Sequence, residues 1–331
     1  MRPRATWAAL LAAAVLAAGC SNAGGTPGTG PTAAHSTLSV APVPTTSSSP
    51  ETSAPTPSTP TPVSPSTTTS VSTSASSTAT PRPSASSSVP SRSGLPPAYL
   101  PGINDPDCRS DHRPVVLLHG TLGSTRLSFS ALAPALLSSG WCVFALDYGN
   151  GGLGPVRDSA VDLASLVTTV RRVTGATAVD LVGYSQGGLV IRAALRLDGL
   201  APMVRTVVLI APSFHGTTAP AATQVPELLC QACHDQAAGS ALLRQLDAGG
   251  DLDGTVRYAV VSTERDSVVT PVSSQVPAGP PDRVRSILVE QRCPGLHTDH
   301  VGLPAVPGVI SWVRAALATD GRPQVSALTC G

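Results

Sequence analysis

The segment VDLVGYSQGGLVIRAAL, Val179 to Leu195, changes its pattern halfway along. An almost unbroken apolar run predicts a strand that is covered on both faces, and apolar residues then return at helical spacing. Between the two lies the motif Gly-x-Ser-x-Gly, centred on Ser185, which in this setting predicts a sharp strand-to-helix turn with the serine at its apex. The motif glycines, Gly183 and Gly187, have no Cβ to clash in so tight a turn. Ser185 is therefore a candidate nucleophile beside the N-terminus of a helix.

Further short runs of Val, Leu and Ile alternate with segments of helical periodicity. The pattern predicts strands at 114–120, 141–147, 178–184, 205–211, 256–262 and 284–290, and helices near 127–139, 156–170, 186–198, 236–248 and 306–318. Strands that alternate with helices predict an α/β fold, with a mostly parallel central sheet and helices on both faces.

The N-terminal residues 1–20 are typical of a signal peptide. Arg2 and Arg4 precede an apolar stretch at 5–18 that is too short to span a bilayer, which takes about 20 residues. The following LAAGC resembles the lipobox of bacterial lipoproteins, which predicts lipidation of Cys20 and a membrane contact through that anchor. An ordinary secretory signal is the alternative.

Residues 21–98 are dominated by Ser, Thr, Pro and Ala, a composition that cannot bury enough apolar surface to offset chain entropy. We predict a disordered linker here, either a stalk or simple filler, followed by one folded catalytic domain at 99–331. The formal charge is only +1, so we expect no nucleic-acid partner, which would need a concentrated basic face.

A serine hydroxyl needs a base, and in this kind of fold the chain order is serine, acid, histidine. Asp266 follows the predicted strand at 256–262 and is the preferred acid, with Glu264 as its rival. His300 precedes an apolar run and is the preferred base over His297, while Asp299 is interpreted as a loop charge.

Two backbone N–H groups are candidates for an oxyanion hole. Gln186 directly follows the serine, and Thr121 lies in the loop after the first predicted strand. His119, at the corner of that loop, is assigned a structural role.

The segment 213–250 is expected to lie over the active edge of the sheet, with His215 near the site or structural. Its leucines are expected in a substrate pocket or in the core: Leu228, Leu229, Leu242, Leu243 and Leu246.

The chain has seven cysteines, and six remain when Cys20 is set aside. An even number in an exported protein predicts three disulfides. The pairs expected are Cys108 with Cys142, Cys230 with Cys233, and Cys293 with Cys330. A zinc site using Cys230, Cys233, His234 and Cys293 is the alternative, but it lacks a clear second ligand pair. We therefore expect no metal and no cofactor.

Six segments together, RPVVLLHGT, GWCVFALDYG, VDLVGYSQGG, LIAPSFHGTT, STERDSVVTP and CPGLHTDH, resemble the secreted bacterial triacylglycerol lipases of the lipase class 2 group. These are small α/β-hydrolases, and the resemblance runs from about Pro101 to the C-terminus. It implies a catalytic triad of Ser185, Asp266 and His300, with Thr121 and Gln186 forming the oxyanion hole. Phe214 departs from the family, which often has Asn at that position.

The sequence thus predicts a secreted or envelope-anchored serine lipase or carboxylesterase that acts on lipid or other acyl esters through an acyl-enzyme. We expect it to be a monomer. Two alternatives stay open: an envelope acyltransferase with the same triad, and a non-catalytic, surface-displayed binding module.

Overall fold

A computed structural model of the chain describes residues 94–331. The predicted signal peptide, the predicted lipidation site Cys20 and nearly all of the predicted linker lie outside the described residues. From residue 94 onward, no helix is both long enough and apolar enough to cross a membrane.

A single sheet of six strands forms the centre of the described region, and every neighbouring pair is parallel. The strands are β1 Val115–Leu118, β2 Val143–Leu146, β3 Val179–Tyr184, β4 Val204–Ile210, β5 Arg257–Ser262 and β6 Val284–Leu288. Their order across the sheet is β2-β1-β3-β4-β5-β6. All six predicted strands are found, because continuous apolar runs suit strands that are buried on both faces.

Helices connect the strands and cover both faces of the sheet. They are α1 Thr125–Phe129, α2 Leu132–Leu137, α3 Gly149–Gly152, α4 Val156–Thr174, α5 Gln186–Leu197, α6 Ala221–Gln224, α7 Gln231–Gln236, α8 Ala241–Asp247, α9 Val289–Arg292 and α10 Pro307–Ala318. Short 3₁₀ turns lie at Ala201–Met203, Val272–Gln275, Leu303–Ala305 and Val325–Ala327.

One predicted helix is divided into two, and another begins later than expected. The segment near 236–248 ends α7 at Gln236 and restarts at α8, because Gly239 takes a φ of 74° and the Ser240 hydroxyl caps the new helix at the Leu243 N–H. The segment near 127–139 divides between α1 and α2. The break before α8 matters for the site because Gln236 becomes the last residue of the separate short helix α7.

Alternate strand residues point to opposite faces and build two cores. Val116 and Leu118 of β1 belong to the core that includes Leu163 of α4. Val115 and Leu117 belong to the other core, which is covered by α1, α2 and Trp312 of α10. The two-sided burial confirms the predicted layered α/β architecture.

Three disulfide bonds link the described cysteines in the pairs expected from the sequence. Cys108 joins Cys142, Cys230 joins Cys233, and Cys293 joins Cys330. The sulfurs of the alternative zinc site are therefore bonded to other sulfurs and cannot serve as thiolate ligands. His234, its fourth member, donates from Nε2 to the Val225 carbonyl oxygen at 2.7 Å.

Candidate active site

The strand order changes direction around β1, which lies between β2 and β3. In open parallel sheets, the carboxyl ends of the strands at such a switch point form the usual ligand crevice. The loop after β1 carries Gly120 and Thr121, and the turn after β3 carries Ser185. A Cβ built on Gly120 would lie 2.9 Å from the Ser185 Cβ, so the two segments are in close contact.

Ser185 occupies a strained turn between β3 and α5. Its φ of 54° and ψ of −122° lie in a region that non-glycine residues seldom occupy. A Cβ at Gly183 would approach the backbone of Gly187 and Gly188 at 2.8 Å, and a Cβ at Gly187 would overlap the Leu118 carbonyl oxygen. The two motif glycines are thus required by close backbone approach, as the sequence predicted.

His300 and Asp266 meet at this serine. His300 Nε2 lies 2.9 Å from Ser185 Oγ, and His300 Nδ1 lies 2.7 Å from Asp266 Oδ2. The three residues come from the turn after β3, the loop after β5 and the segment after α9, and all three are buried. Because a carboxylate accepts from Nδ1, the proton resides there and Nε2 is left free to accept from the serine hydroxyl.

The Asp266 carboxylate is held by several further donors. Oδ1 accepts from the backbone N–H groups of Val268 and Val269, each at 2.8 Å, and Oδ2 accepts from Gln275 Nε2 at 2.9 Å. Gln275 is fully buried and also donates to the Val269 carbonyl oxygen. These bonds hold the carboxylate in position beside His300.

The rival residues are exposed and form no hydrogen bond with Ser185, Asp266 or His300 in the part of the chain that the structure describes. Glu264 is exposed, and its backbone N–H donates to Glu290. His297 is exposed, and Asp299 accepts from the Gly302 N–H within its own loop. Only Asp266 and His300 of the candidates are brought into hydrogen-bond contact with the serine system.

The two candidate oxyanion N–H groups belong to residues close to Ser185: Gln186 directly follows it, and Thr121 follows Gly120, which packs on Ser185. Within residues 94–331, no hydrogen bond takes up the backbone N–H of Thr121 or Gln186. Gln186 is the first residue of α5, where backbone N–H groups have no partner inside the helix and the dipole favours negative charge. The Gln186 side chain donates to the Gly152 carbonyl oxygen at 2.9 Å.

His119 supports the loop that carries Thr121. Its Nδ1 donates to the Gly120 carbonyl oxygen at 2.8 Å, its Nε2 accepts from the Tyr148 N–H, and its ring stacks on Tyr148 with centroids 4.3 Å apart. Burial lowers the pKa of His119, so the neutral ring with both bonds is favoured. This is the structural arrangement that the sequence suggested.

A cavity of about 300 Å³, the serine pocket, opens at Ser185 and His300. Its wall is largely apolar, with Leu122, Leu153, Val225, Val268, Val269 and Val301 among the lining residues. The segment 213–250 contributes part of this wall, as expected, through residues at 217–236.

The leucines of that segment do not line the serine pocket. Leu243 and Leu246 are buried in the core and Leu242 packs against it, whereas Leu228 is 98% exposed and Leu229 is 48% exposed. Small residues such as Ala219 and Ala222 form the wall instead.

Sequence reasoning missed two buried amides. Gln275 contacts Asp266, and Gln236 donates to Thr121 Oγ1 at 2.9 Å. Neither lies in a recognisable motif, and only the proximity of Gln275 to Asp266 along the chain offered a signal.

A family model described as "alpha/beta hydrolase fold" matches residues 113–228. Among solved structures, lipase B from Aspergillus fumigatus is 22% identical with a TM-score of 0.60; the match covers 71% of this chain and 58% of the lipase. An esterase from Rhodococcus sp. ECU1013 is 19% identical with a TM-score of 0.41, over 63% of this chain and 92% of the esterase.

The chain thus spans less than two thirds of the length of the Aspergillus lipase, and at this identity the likeness concerns the fold. The family match covers β1 to β4, the part of the sheet that carries the serine turn. With the parallel order β2-β1-β3-β4-β5-β6 extending beyond it, this chain has the α/β-hydrolase fold.

Proposed function

We propose that this protein is a serine ester hydrolase, a lipase or carboxylesterase, in which Ser185, His300 and Asp266 act as a catalytic triad. The observation that carries the proposal is the continuous chain of hydrogen bonds from Ser185 Oγ through His300 to Asp266, with distances of 2.9 and 2.7 Å. The chain of bonds lies beside an apolar cavity that is open to an acyl group.

In the proposed mechanism Ser185 Oγ attacks the ester carbonyl carbon while His300 Nε2 accepts the hydroxyl proton. The negative charge that develops on the carbonyl oxygen is stabilised by the N–H groups of Thr121 and Gln186. His300 then gives its proton to the departing alcohol, and an acyl-enzyme on Ser185 remains. A water molecule, deprotonated by His300, hydrolyses this ester and releases the carboxylic acid.

Asp266 has two roles in this scheme. It keeps the Nδ1 proton in place, so that the free lone pair of His300 faces Ser185, and it stabilises the imidazolium that forms during attack. The two N–H groups on Oδ1 and the Gln275 amide on Oδ2 hold the carboxylate in position beside His300.

We further propose an extracellular or cell-envelope location, with the domain tethered through a lipidated Cys20 and the Ser/Thr/Pro-rich linker. The three disulfides support an oxidising compartment. The lipid substrate and a monomeric state belong to the same proposal.

A fluorophosphonate probe and p-nitrophenyl esters of graded chain length test the catalytic proposal. We expect covalent labelling of Ser185 and ester turnover, and Ser185→Ala should abolish labelling and lower kcat by roughly five orders of magnitude or more. His297→Gln, which alters an exposed histidine of the same loop, is the matched control for the base and should retain activity.

Transfer of the acyl group to an added alcohol in place of water would favour an acyltransferase. A folded protein that neither reacts with the probe nor cleaves any ester of the series would refute the proposal and leave a binding module.

A further inference from the structure

The amino ends of the strands form the edge of the sheet opposite to the serine pocket, and five arginines gather there. They are Arg113 before β1, Arg205 in β4, Arg257 at the start of β5, Arg283 before β6 and Arg322 after α10. We call this set the arginine end. Because all six strands are parallel, the arginine end and Ser185, which follows β3, lie at opposite edges of the sheet.

Three of these arginines share one carboxylate that reaches solvent. Asp320, which follows α10, contacts Arg113 Nη2 through Oδ1. Its Oδ2 lies 3.3 Å from Arg205 Nη2 and 4.0 Å from Arg257 Nη1. Asp180 also pairs with Arg113, at 3.0 Å, but its side chain is only 1% exposed. The outer surface of the cluster therefore carries more guanidinium groups than carboxylates.

The other two arginines have no carboxylate partner among the described residues. Arg283 donates from Nε and Nη2 to the Val256 carbonyl oxygen at 3.0 and 2.8 Å, and from Nη2 to the Gly254 carbonyl oxygen at 2.9 Å. These neutral acceptors leave the charge of Arg283 intact. Arg322 is exposed, and its side chain forms no hydrogen bond or ion pair within 94–331. Asp282, which precedes Arg283, is exposed and adds one negative charge nearby.

The positive charges of the cluster act on one another. Arg257 Nη1 is buried and has no hydrogen-bond partner in the described part of the chain. Burial, together with the like charges of Arg205, Arg322 and Arg283, lowers the pKa of Arg257. Residues 94–331 as a whole contain 17 Arg against 19 Asp and Glu, so the positive excess is local to the arginine end.

The chain enters the domain at the same edge of the sheet. A Cβ built on Gly94, the first described residue, would lie 3.6 Å from Arg172 Nη2, in the last turn of α4. Helix α4 ends at Thr174 and leads to the amino end of β3. The segment that leads back to Cys20 therefore leaves the domain on the side of the arginine end. A membrane anchor at Cys20 would allow that end to face the membrane.

We propose that the arginine end docks on an anionic lipid surface, where its guanidinium groups bind headgroup phosphates. Guanidinium matches phosphate in geometry as well as in charge, and basic residues near an anionic membrane add their attractions to it. The docking requires neither the proposed lipid anchor nor ester hydrolysis. The serine pocket, at the opposite edge of the sheet, then faces away from the lipid. Together with the proposed function, this orientation means that the pocket receives esters from the surrounding medium.

Co-sedimentation with lipid vesicles tests the docking in a chain of residues 21–331, which keeps the linker and the whole described domain but has no Cys20 to be lipidated. We expect binding to vesicles of equal parts phosphatidylcholine and phosphatidylglycerol, little binding to phosphatidylcholine alone, and release at high salt, because salt screens the attraction. Arg205→Gln combined with Arg322→Gln should weaken the binding constant about 25-fold, since each basic residue near the surface contributes about fivefold.

Arg126→Gln combined with Arg265→Gln is the matched control. It removes the same charge at the opposite edge of the sheet, after β1 and after β5, and should stay within twofold of the unsubstituted protein. Arg322→Glu reverses one exposed charge without breaking a contact, and it should weaken binding about as much as the double variant at the arginine end. It decides the matter if Arg205→Gln, which loses its contact with Asp320, does not fold.

Absence of binding to the anionic vesicles, equal binding to both kinds of vesicle, or equal weakening by the double variants at the two edges would overturn this proposal. Vesicle binding is measured without turnover, so a failure of ester hydrolysis would overturn the proposed function alone.

Discussion

Two histidine–aspartate pairs lie in this domain and they differ in what the second ring nitrogen contacts. In the first pair His300 Nδ1 faces Asp266, and Nε2 faces the Ser185 hydroxyl. In the second pair His215 Nε2 lies 3.0 Å from both Asp251 carboxylate oxygens, and Nδ1 lies 3.0 Å from the Ser274 carbonyl oxygen. A hydroxyl can donate, whereas a carbonyl oxygen can only accept.

This difference distinguishes His300, which is placed to act as a base, from His215, which has a structural role. Both nitrogens of His215 face acceptor oxygens, so neither faces a hydroxyl whose proton it could take. Next to it the almost fully buried Arg192 pairs with Asp247 and Asp251 at 2.8 and 3.1 Å. His215, Asp247 and Asp251 bring three possible metal ligands together, but both carboxylates already form ion pairs with the Arg192 guanidinium.

The largest predicted contrast is between the two aspartates. Asp266→Asn should lower kcat about 10⁴-fold, because the amide can donate to Nδ1 and favours the wrong tautomer of His300. Asp251→Asn should leave kcat within about threefold while the protein is folded, since it contacts no residue of the triad. Steady-state kinetics on one ester measures both, and a similar loss of kcat in the two variants would mean that the pairs are not functionally distinct.

A smaller effect is expected at the residue that supports the catalytic pair. Gln275→Leu removes the amide from Asp266 Oδ2, and we expect kcat to fall about 10-fold with KM nearly unchanged, since the partner of His300 remains but is less firmly held. Gln275→Glu brings a second carboxyl close to Asp266 and should cost more, through like-charge repulsion. If the unsubstituted protein and both variants are folded and have equal kcat, Gln275 contributes only to packing.

The smallest effect concerns the pH dependence of stability at the structural pair. Burial alone would raise the pKa of Asp251, but the Ala278 N–H, His215 and Arg192 hold that pKa below its usual value. A depressed pKa stabilises the folded state above the unfolded value of about 3.9, and this contribution is lost as the pH falls through the folded pKa. Urea unfolding from pH 5 to pH 3 should therefore show a shallower loss of unfolding free energy in Asp251→Asn.

Asp282→Asn removes one exposed carboxyl and is the control for the change in net charge. An acid slope in Asp251→Asn equal to that of the unsubstituted protein would show that the Asp251 contacts add no stability.

The sequence by itself determined the alternation of strands and helices and the serine turn, and it suggested the cysteine pairs that the structure contains. These depend on periodicity, on close packing that only glycine permits, and on an even number of cysteines. The same local patterns indicated Asp266 and His300, but they left Glu264 and His297 as rivals. Two acids in one loop, or two histidines in one loop, have nearly the same local pattern.

Only the tertiary structure decided which of these residues meet Ser185, and which buried groups support them. Gln236 and Gln275 carry no motif, and each becomes relevant through a contact with a chain segment that folds back onto it, the Gln236–Thr121 bond spanning 115 positions. The leucines of the segment 213–250 were likewise divided between core and solvent by packing. Hydrogen bonds and burial of this kind depend on distances across the folded domain, which local sequence patterns do not contain.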